Sequence, residues 1–182
     1  SPLNRENRPG GRAWMRRRLA GIERMDIVTT HTHTDFDGFA SVVAATLLFP
    51  EARAVLPNAL NPNVKAFLSI HKDLFETHPR GDVDLKRVKR LIVVDTSSWS
   101  RLDRMEALKG RKDLDILVWD PHMEAGSIHA GQRCIEPVGA TTTLLVRELK
   151  RRRKVLTPMQ ATLLLAGIYE DTGNLSFPAV TA

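Results

Sequence analysis

Short apolar runs alternate along this chain with longer segments whose apolar residues recur every three or four positions. The runs Ile27–Thr30, Ala54–Leu56, Leu91–Val94 and Ile116–Trp119 have the length and continuity of strands buried on both faces. Between them, Phe39–Phe49, Val64–His71 and Ser100–Leu108 read as helices, the last because Leu102, Met105 and Leu108 recur on one side. Thr141–Lys154 is a further helix. Thr157-Pro158 then marks the start of another, to about Tyr169: a capping hydroxyl is followed by proline at the first helical position. This alternation predicts an α/β fold with a mostly parallel sheet and helices on both faces.

Polar residues fall at telling places in this pattern. Asp95 ends the Leu91–Val94 run, Asp120 ends Ile116–Trp119, and His31-Thr-His33-Thr-Asp35-Phe-Asp37-Gly38 follows Ile27–Thr30. In an open α/β sheet the carboxyl ends of the strands border the ligand crevice, so these residues are expected to converge. Nitrogen and oxygen donors together suit Mn²⁺, Mg²⁺, Fe²⁺ or Zn²⁺. A solvated acidic turn with two stray histidines is the other reading of the His31–Asp37 cluster taken alone.

Composition narrows the class. The 182 residues are 42% hydrophobic, enough for one core, with no apolar run near the ~20 residues that cross a bilayer. A single cysteine, Cys134, rules out an internal disulfide and fits a reducing compartment, so the cytoplasm is expected. The net charge of +6 is concentrated near the start, where seven arginines in residues 1–25 face only Glu6 and Glu23. Residues 1–24 therefore read as a basic, flexible arm, with contact to RNA as its alternative reading, and 25–182 as a nearly neutral domain. The second basic run, Lys150–Lys154, ends a predicted helix, where cations complement the helix dipole.

Four blocks in order make the chain resemble the DHH phosphoesterase superfamily, the RecJ-like group that includes oligoribonuclease-type phosphodiesterases and family II inorganic pyrophosphatases. They are His31-x-x-x-Asp35-x-Asp37-Gly38 with Ser41; Val93-Val94-Asp95-Thr96-Ser97; Val118-Trp119-Asp120-Pro121-His122; and Gly167-Ile168-Tyr169-Glu170-Asp171-Thr172-Gly173, ending in Phe177. With Gly139-Ala-Thr-Thr-Thr-Leu-Leu between the last two, the wording is most similar to the DHH module fused to CBS domains and a poly(A) polymerase or CCA-adding tRNA nucleotidyltransferase. The resemblance implies that His31 and Asp35 hold one divalent ion, Asp37 and Asp171 a second, and Asp95 bridges them, with Asp37, Asp95 and His122 in the catalytic machinery. Mn²⁺, or Mg²⁺, is the implied cofactor, as one or two ions. Such a pair, ~3.5–4 Å apart, clamps a phosphoryl centre and activates water for in-line attack. The implied partner is a phosphate-containing small molecule or short oligonucleotide, with RNA or tRNA reached through fused domains.

The third block departs from the pattern. Pro121 stands where the triplet's first histidine, a ligand of the second ion, is expected, and proline has no side-chain donor. The second ion is then weakened, or rescued by nitrogen from His122 or His33, or hydrolysis is lost. The smaller C-terminal substrate domain usual in the family has no counterpart after Phe177. The expectation is a metal-dependent phosphoesterase. Its alternatives are a catalytically degenerate nucleotide- or RNA-binding module of a tRNA nucleotidyltransferase-type fusion and an inorganic pyrophosphatase. Gly139-Ala140-Thr141 precedes a helix whose first amides either receive a phosphate or are plainly capped.

Overall fold

The computed structural model describes residues 23–122 and 126–173. Six strands, β1 (Met25–Thr29), β2 (Ala52–Leu56), β3 (Thr77–Pro79), β4 (Val88–Val94), β5 (Asp115–Trp119) and β6 (Gln132–Cys134), form one sheet in the order β3-β2-β1-β4-β5-β6. Every pairing is parallel. Four α-helices accompany it: α1 (Phe36–Leu48), α2 (Pro62–His71), α3 (Thr141–Arg151) and α4 (Pro158–Asp171). At the start of α4, the Thr157 hydroxyl accepts from the Gln160 amide while the Gln160 side chain accepts from the Thr157 amide. That reciprocal cap fixes the helix start that Thr157-Pro158 predicts.

Alternation along the strands feeds two cores. Val28, Ile92, Val94 and Leu117 pack with residues of the four α-helices, whereas Ile27, Leu91, Val93 and Val118 pack beneath loops and short 3₁₀ helices. Because both faces are buried, the central strands read as unbroken apolar runs. Trp99 and Trp119 join these cores, one on each face.

One predicted helix is corrected. Ser100–Leu108 forms no α-helix; it holds two 3₁₀ turns, Trp99–Arg101 and Glu106–Leu108, separated by Arg104 in the left-handed region at φ 48°. Leu102, Met105 and Leu108 are nonetheless buried. Their strict spacing of three fits a 3₁₀ period, not the 3.6 of an α-helix. The edge strands β3 and β6 escape a sequence reading because each has three residues and little burial.

The strand order places the crevice. From β1 the chain winds outward through β2 to β3, then returns to β4 on the other side of β1. The connections following β1 and β4 therefore diverge, and such a topological switch point leaves a cleft at the carboxyl ends of those strands. His31 follows β1, Asp95 follows β4 and Asp120 follows β5.

Candidate metal centre

The loop after β1 is pinned from both sides before any chemistry is considered. The Thr32 amide donates to the Arg101 carbonyl, the His33 amide to Ala59 and the Asn61 amide to Thr34, while the Thr34 hydroxyl donates to the His31 carbonyl at 2.7 Å. His31 itself is buried, and its Nδ1 lies 2.8 Å from the Thr32 carbonyl. A carbonyl only accepts, so Nδ1 carries a proton and Nε2 is the nitrogen turned to the site. It meets Asp95 Oδ2 at 3.0 Å and Asp35 Oδ1 at 3.7 Å, the latter too far for a hydrogen bond but close enough to act as a charge.

Asp35 also caps α1 by accepting from the Gly38 amide at 2.9 Å. Gly38 is required here for space. A Cβ on it would stand 3.0 Å from Thr30 Oγ1, 3.1 Å from His31 Nε2 and 3.2 Å from Thr34 Cγ2. Thr30 Oγ1 is buried with no hydrogen-bond partner. A small cradle thus lies against a histidine nitrogen and an orphaned hydroxyl.

Asp95 adopts the left-handed region at φ 62°, uncommon for a residue other than glycine but tolerated by aspartate. Its second oxygen, Oδ1, accepts from Thr141 Oγ1 at 2.6 Å. Thr141 opens α3, and the amides of Thr141 and Thr142 each donate to one oxygen of Asp37 at 2.8 Å. The anion at this helix N-terminus is therefore Asp37 itself, brought in from α1; it replaces the side-chain cap that Ala140 cannot provide. The two cap readings of Gly139-Ala140-Thr141 resolve into this one. Ser41 lies 3.1 Å from Thr142 Oγ1, tying the same two helices. Gly167 of α4 lets the third helix approach: its Cβ would sit 2.8 Å from Ala40 Cβ and 3.0 Å from both Phe36 O and Thr142 Oγ1.

Among the described residues, two groups have ligand atoms within 4.8 Å of one another: His31, Asp35 and Asp95; and Asp95, Asp120 and His122. Asp95 belongs to both. In the second group Asp120 Oδ1 accepts from the His122 amide at 3.2 Å and lies 2.5 Å from His122 Nδ1. Asp37 and Asp171 fall in neither group, although Asp171, at the end of α4, feels the charges of Asp95 and Asp35. His33 is exposed, at φ 57°, outside both groups. Sequence reasoning assigns Asp120 no ligand role and Glu170 none beyond that of a ligand neighbour beside Asp171; Glu170 Oε2 instead accepts from the Phe36 amide at 2.6 Å and so holds the start of α1. Asp120 carried a signal, its strand-end position; Glu170, next to Asp171, carried only proximity. Phe177 of the fourth block and residues 1–22 of the basic arm lie outside the described residues.

Crowded carboxylates perturb one another. Burial and the charge of Asp95 push Asp37 well above the usual carboxylate range despite its bonds to Thr142, and burial with Asp95 and Asp35 raises Asp171 to about 6. Burial disfavours the His31 imidazolium, but Asp35 and Asp95 outweigh it and lift the pKa to about 10. Asp120 raises His122, against partial burial. Protons therefore neutralise an acidic crevice that a divalent cation would neutralise better. The donor set, the cradle over Gly38 and the orphaned Thr30 hydroxyl all fit such an ion.

An acidic, histidine-bearing crevice at the switch point of a parallel sheet defines the class. The description "DHH family, N-terminal domain" matches residues 27–168, and the chain belongs to that family. It is 35% identical over 159 residues to an A-adding tRNA nucleotidyltransferase of Geobacter sulfurreducens, covering 86% of this chain and 18% of that protein. To an A-adding tRNA nucleotidyltransferase of Aquifex aeolicus it is 32% identical over 155 residues, covering 85% and 18%. The chain thus spans about a fifth of the length of these curated relatives. A solved exopolyphosphatase-related protein from Bacteroides fragilis shares the fold at TM-score 0.67 and 15% identity, over 97% of this chain and 55% of that one. No helix among the described residues is long and apolar enough to cross a membrane.

Proposed function

We propose that this domain is a divalent-metal-dependent phosphoesterase that hydrolyses phosphodiester or phosphoanhydride bonds of short oligonucleotides or small nucleotides. One observation carries the reading: the loop after β1 and the ends of β4, β5 and α4 bring His31, Asp35, Asp95, Asp120, His122 and Asp171 to one crevice. His31, Asp35 and Asp95 would hold one ion, with Asp37 and Asp171 completing the negative surroundings. When bound, Mn²⁺ or Mg²⁺ supplies neutralisation of phosphoryl charge and acidification of water.

The chain's own residues do the orienting. The Thr32 carbonyl fixes the His31 tautomer, and the Thr141 hydroxyl fixes Asp95 from its far oxygen. Asp37 couples the α3 N-terminus to the metal loop through two amides, so the loop cannot drift from Asp95 without breaking them. Such preorganisation lowers the cost of arranging charge at the moment of reaction.

The test is Mn²⁺-dependent hydrolysis of bis(p-nitrophenyl) phosphate by the 182-residue chain. Activity that disappears in Asp95→Ala and in Asp171→Ala supports the reading; variants as active as the parent overturn it. A second reading is favoured by the tRNA nucleotidyltransferases to which the chain is similar: a nucleotide- or RNA-binding regulatory module without hydrolysis. Under that reading the chain binds tRNA with an affinity indifferent to Mn²⁺ and leaves the diester intact.

A further inference from the structure

We infer that a second divalent cation binds at Asp95, Asp120 and His122, and that Pro121 is the residue that brings His122 into this role. The inference rests on the metal-dependent reading above. Position 121 offers no donor atom, yet the crevice does not lack a second nitrogen, because His122 sits with Asp95 and Asp120 within 4.8 Å. The proline has a positive function in this arrangement. Its ring fixes its own φ and disfavours helical backbone at Asp120, which restricts how the chain can leave β5. As a result the His122 amide and Nδ1 both reach Asp120 Oδ1, at 3.2 and 2.5 Å.

A carboxylate on one ring nitrogen is how proteins fix a histidine tautomer and make the other nitrogen a better donor. Asp120, whose side chain is only 2% exposed, cannot swing away, so the imidazole is held even though it is 57% exposed. Asp95 supplies the link to the first group: it belongs to both, and two ions sharing one carboxylate need no further bridging residue. The sites differ in one respect that can be measured. The imidazole of the first group, His31, is 4% exposed and that of the second, His122, is 57% exposed, so the second ion binds more weakly.

Calorimetric Mn²⁺ titration of the full chain, with bound Mn²⁺ counted by EPR, tests this without any assay of activity. Two separable steps are expected. His122→Ala should weaken the second by about tenfold or more and leave the first unchanged, while His31→Ala should do the reverse. Loss of one of two imidazole-nitrogen modulations in pulsed EPR of His122→Ala would identify the ligand directly. Because His122 is exposed, the substitution does not threaten the core; an unchanged unfolding midpoint in the absence of metal verifies that. Two unaltered steps in His122→Ala, or one step alone in the parent, overturn the inference while leaving a metal-dependent domain in place. No binding by the parent overturns the proposed function as well.

Discussion

The two sides of the crevice are built to different standards. On one side His31 has a side chain 4% exposed, a tautomer fixed by its own loop, and a glycine cradle beneath it. On the other, His122 is 57% exposed and held by one carboxylate two residues away. The first side draws on long-range contacts from Ala59 and Asn61 beyond β2, from Arg101, and from Glu170 of α4; in the second, His122 is held by its own strand-end loop. Burial raises the cost of leaving carboxylates uncompensated, so the buried side should need its cation more and release it more slowly. An exposed side can accept and lose an ion with substrate.

The largest effect that would break this comparison is expected at Asp95, the carboxylate both sides use. Asp95→Ala should lower Mn²⁺-dependent diester hydrolysis by about a thousandfold or more, since an electrostatic element of the site is lost whole. Both steps of the metal titration should weaken together. If only one weakens, the two sides do not share this residue.

Asp37 comes next, and its main effect is on the fold. Truncation to alanine leaves the buried amides of Thr141 and Thr142 without their acceptor, at a cost of about 2–4 kcal/mol. Urea denaturation of Asp37→Ala should show that loss, in addition to lost activity. Stability equal to the parent would mean that the α3 N-terminus is satisfied by something other than Asp37.

These contacts mark how far the sequence was legible. Strands β1, β2, β4 and β5 were readable because burial on both faces leaves continuous apolar runs, and the α4 start because capping chemistry is local. The convergence of His31, Asp95 and Asp120 was readable from their places at the ends of strands. The acceptor for Thr141 and Thr142 was not, because a backbone amide has no signature in sequence and Asp37 lies more than a hundred residues away. Nor does a sequence distinguish Leu102, Met105 and Leu108 on 3₁₀ turns from the same residues on a helix until Arg104 is seen at positive φ. Local rules failed where long-range contacts decide.

Gly38→Ala probes the buried side alone. The new methyl would fill the cradle at 3.0–3.2 Å from Thr30 Oγ1, His31 Nε2 and Thr34 Cγ2. We expect the tighter Mn²⁺ step to weaken by about tenfold and the weaker step to remain. Equal weakening of both would remove the distinction between the sides.

Acidity should act in the same direction. His31 is raised from 6.5 to about 10 and Asp171 from 3.8 to about 6, so the metal-free fold binds more protons than the unfolded chain in those intervals. Stability from Asp171 is complete below pH 3.8 and is lost as pH rises towards 6; that from His31 is complete below 6.5 and is lost towards 10. A cation must expel the same protons, so its affinity rises with pH. Thermal unfolding should show an Mn²⁺-induced upward shift that grows between pH 5 and 8. A shift independent of pH would show that these groups do not titrate against the metal.

The smallest effect is expected at Glu170, and it separates the two sides most selectively. Its carboxylate holds the Phe36 amide at 2.6 Å, joining the end of α4 to the start of α1, where Asp35 and Asp37 lie. On the other side of the crevice, His122 is held by Asp120 Oδ1, through its amide and its Nδ1. Glu170→Ala frees an amide at a helix start that water can reach, so denaturation should record a loss of only about 0.5–1 kcal/mol. The loosened α1 start should weaken the first Mn²⁺ step severalfold and spare the second. If the second step weakens instead, α4 governs the exposed side, and the division of the crevice into a buried half and a local half is wrong.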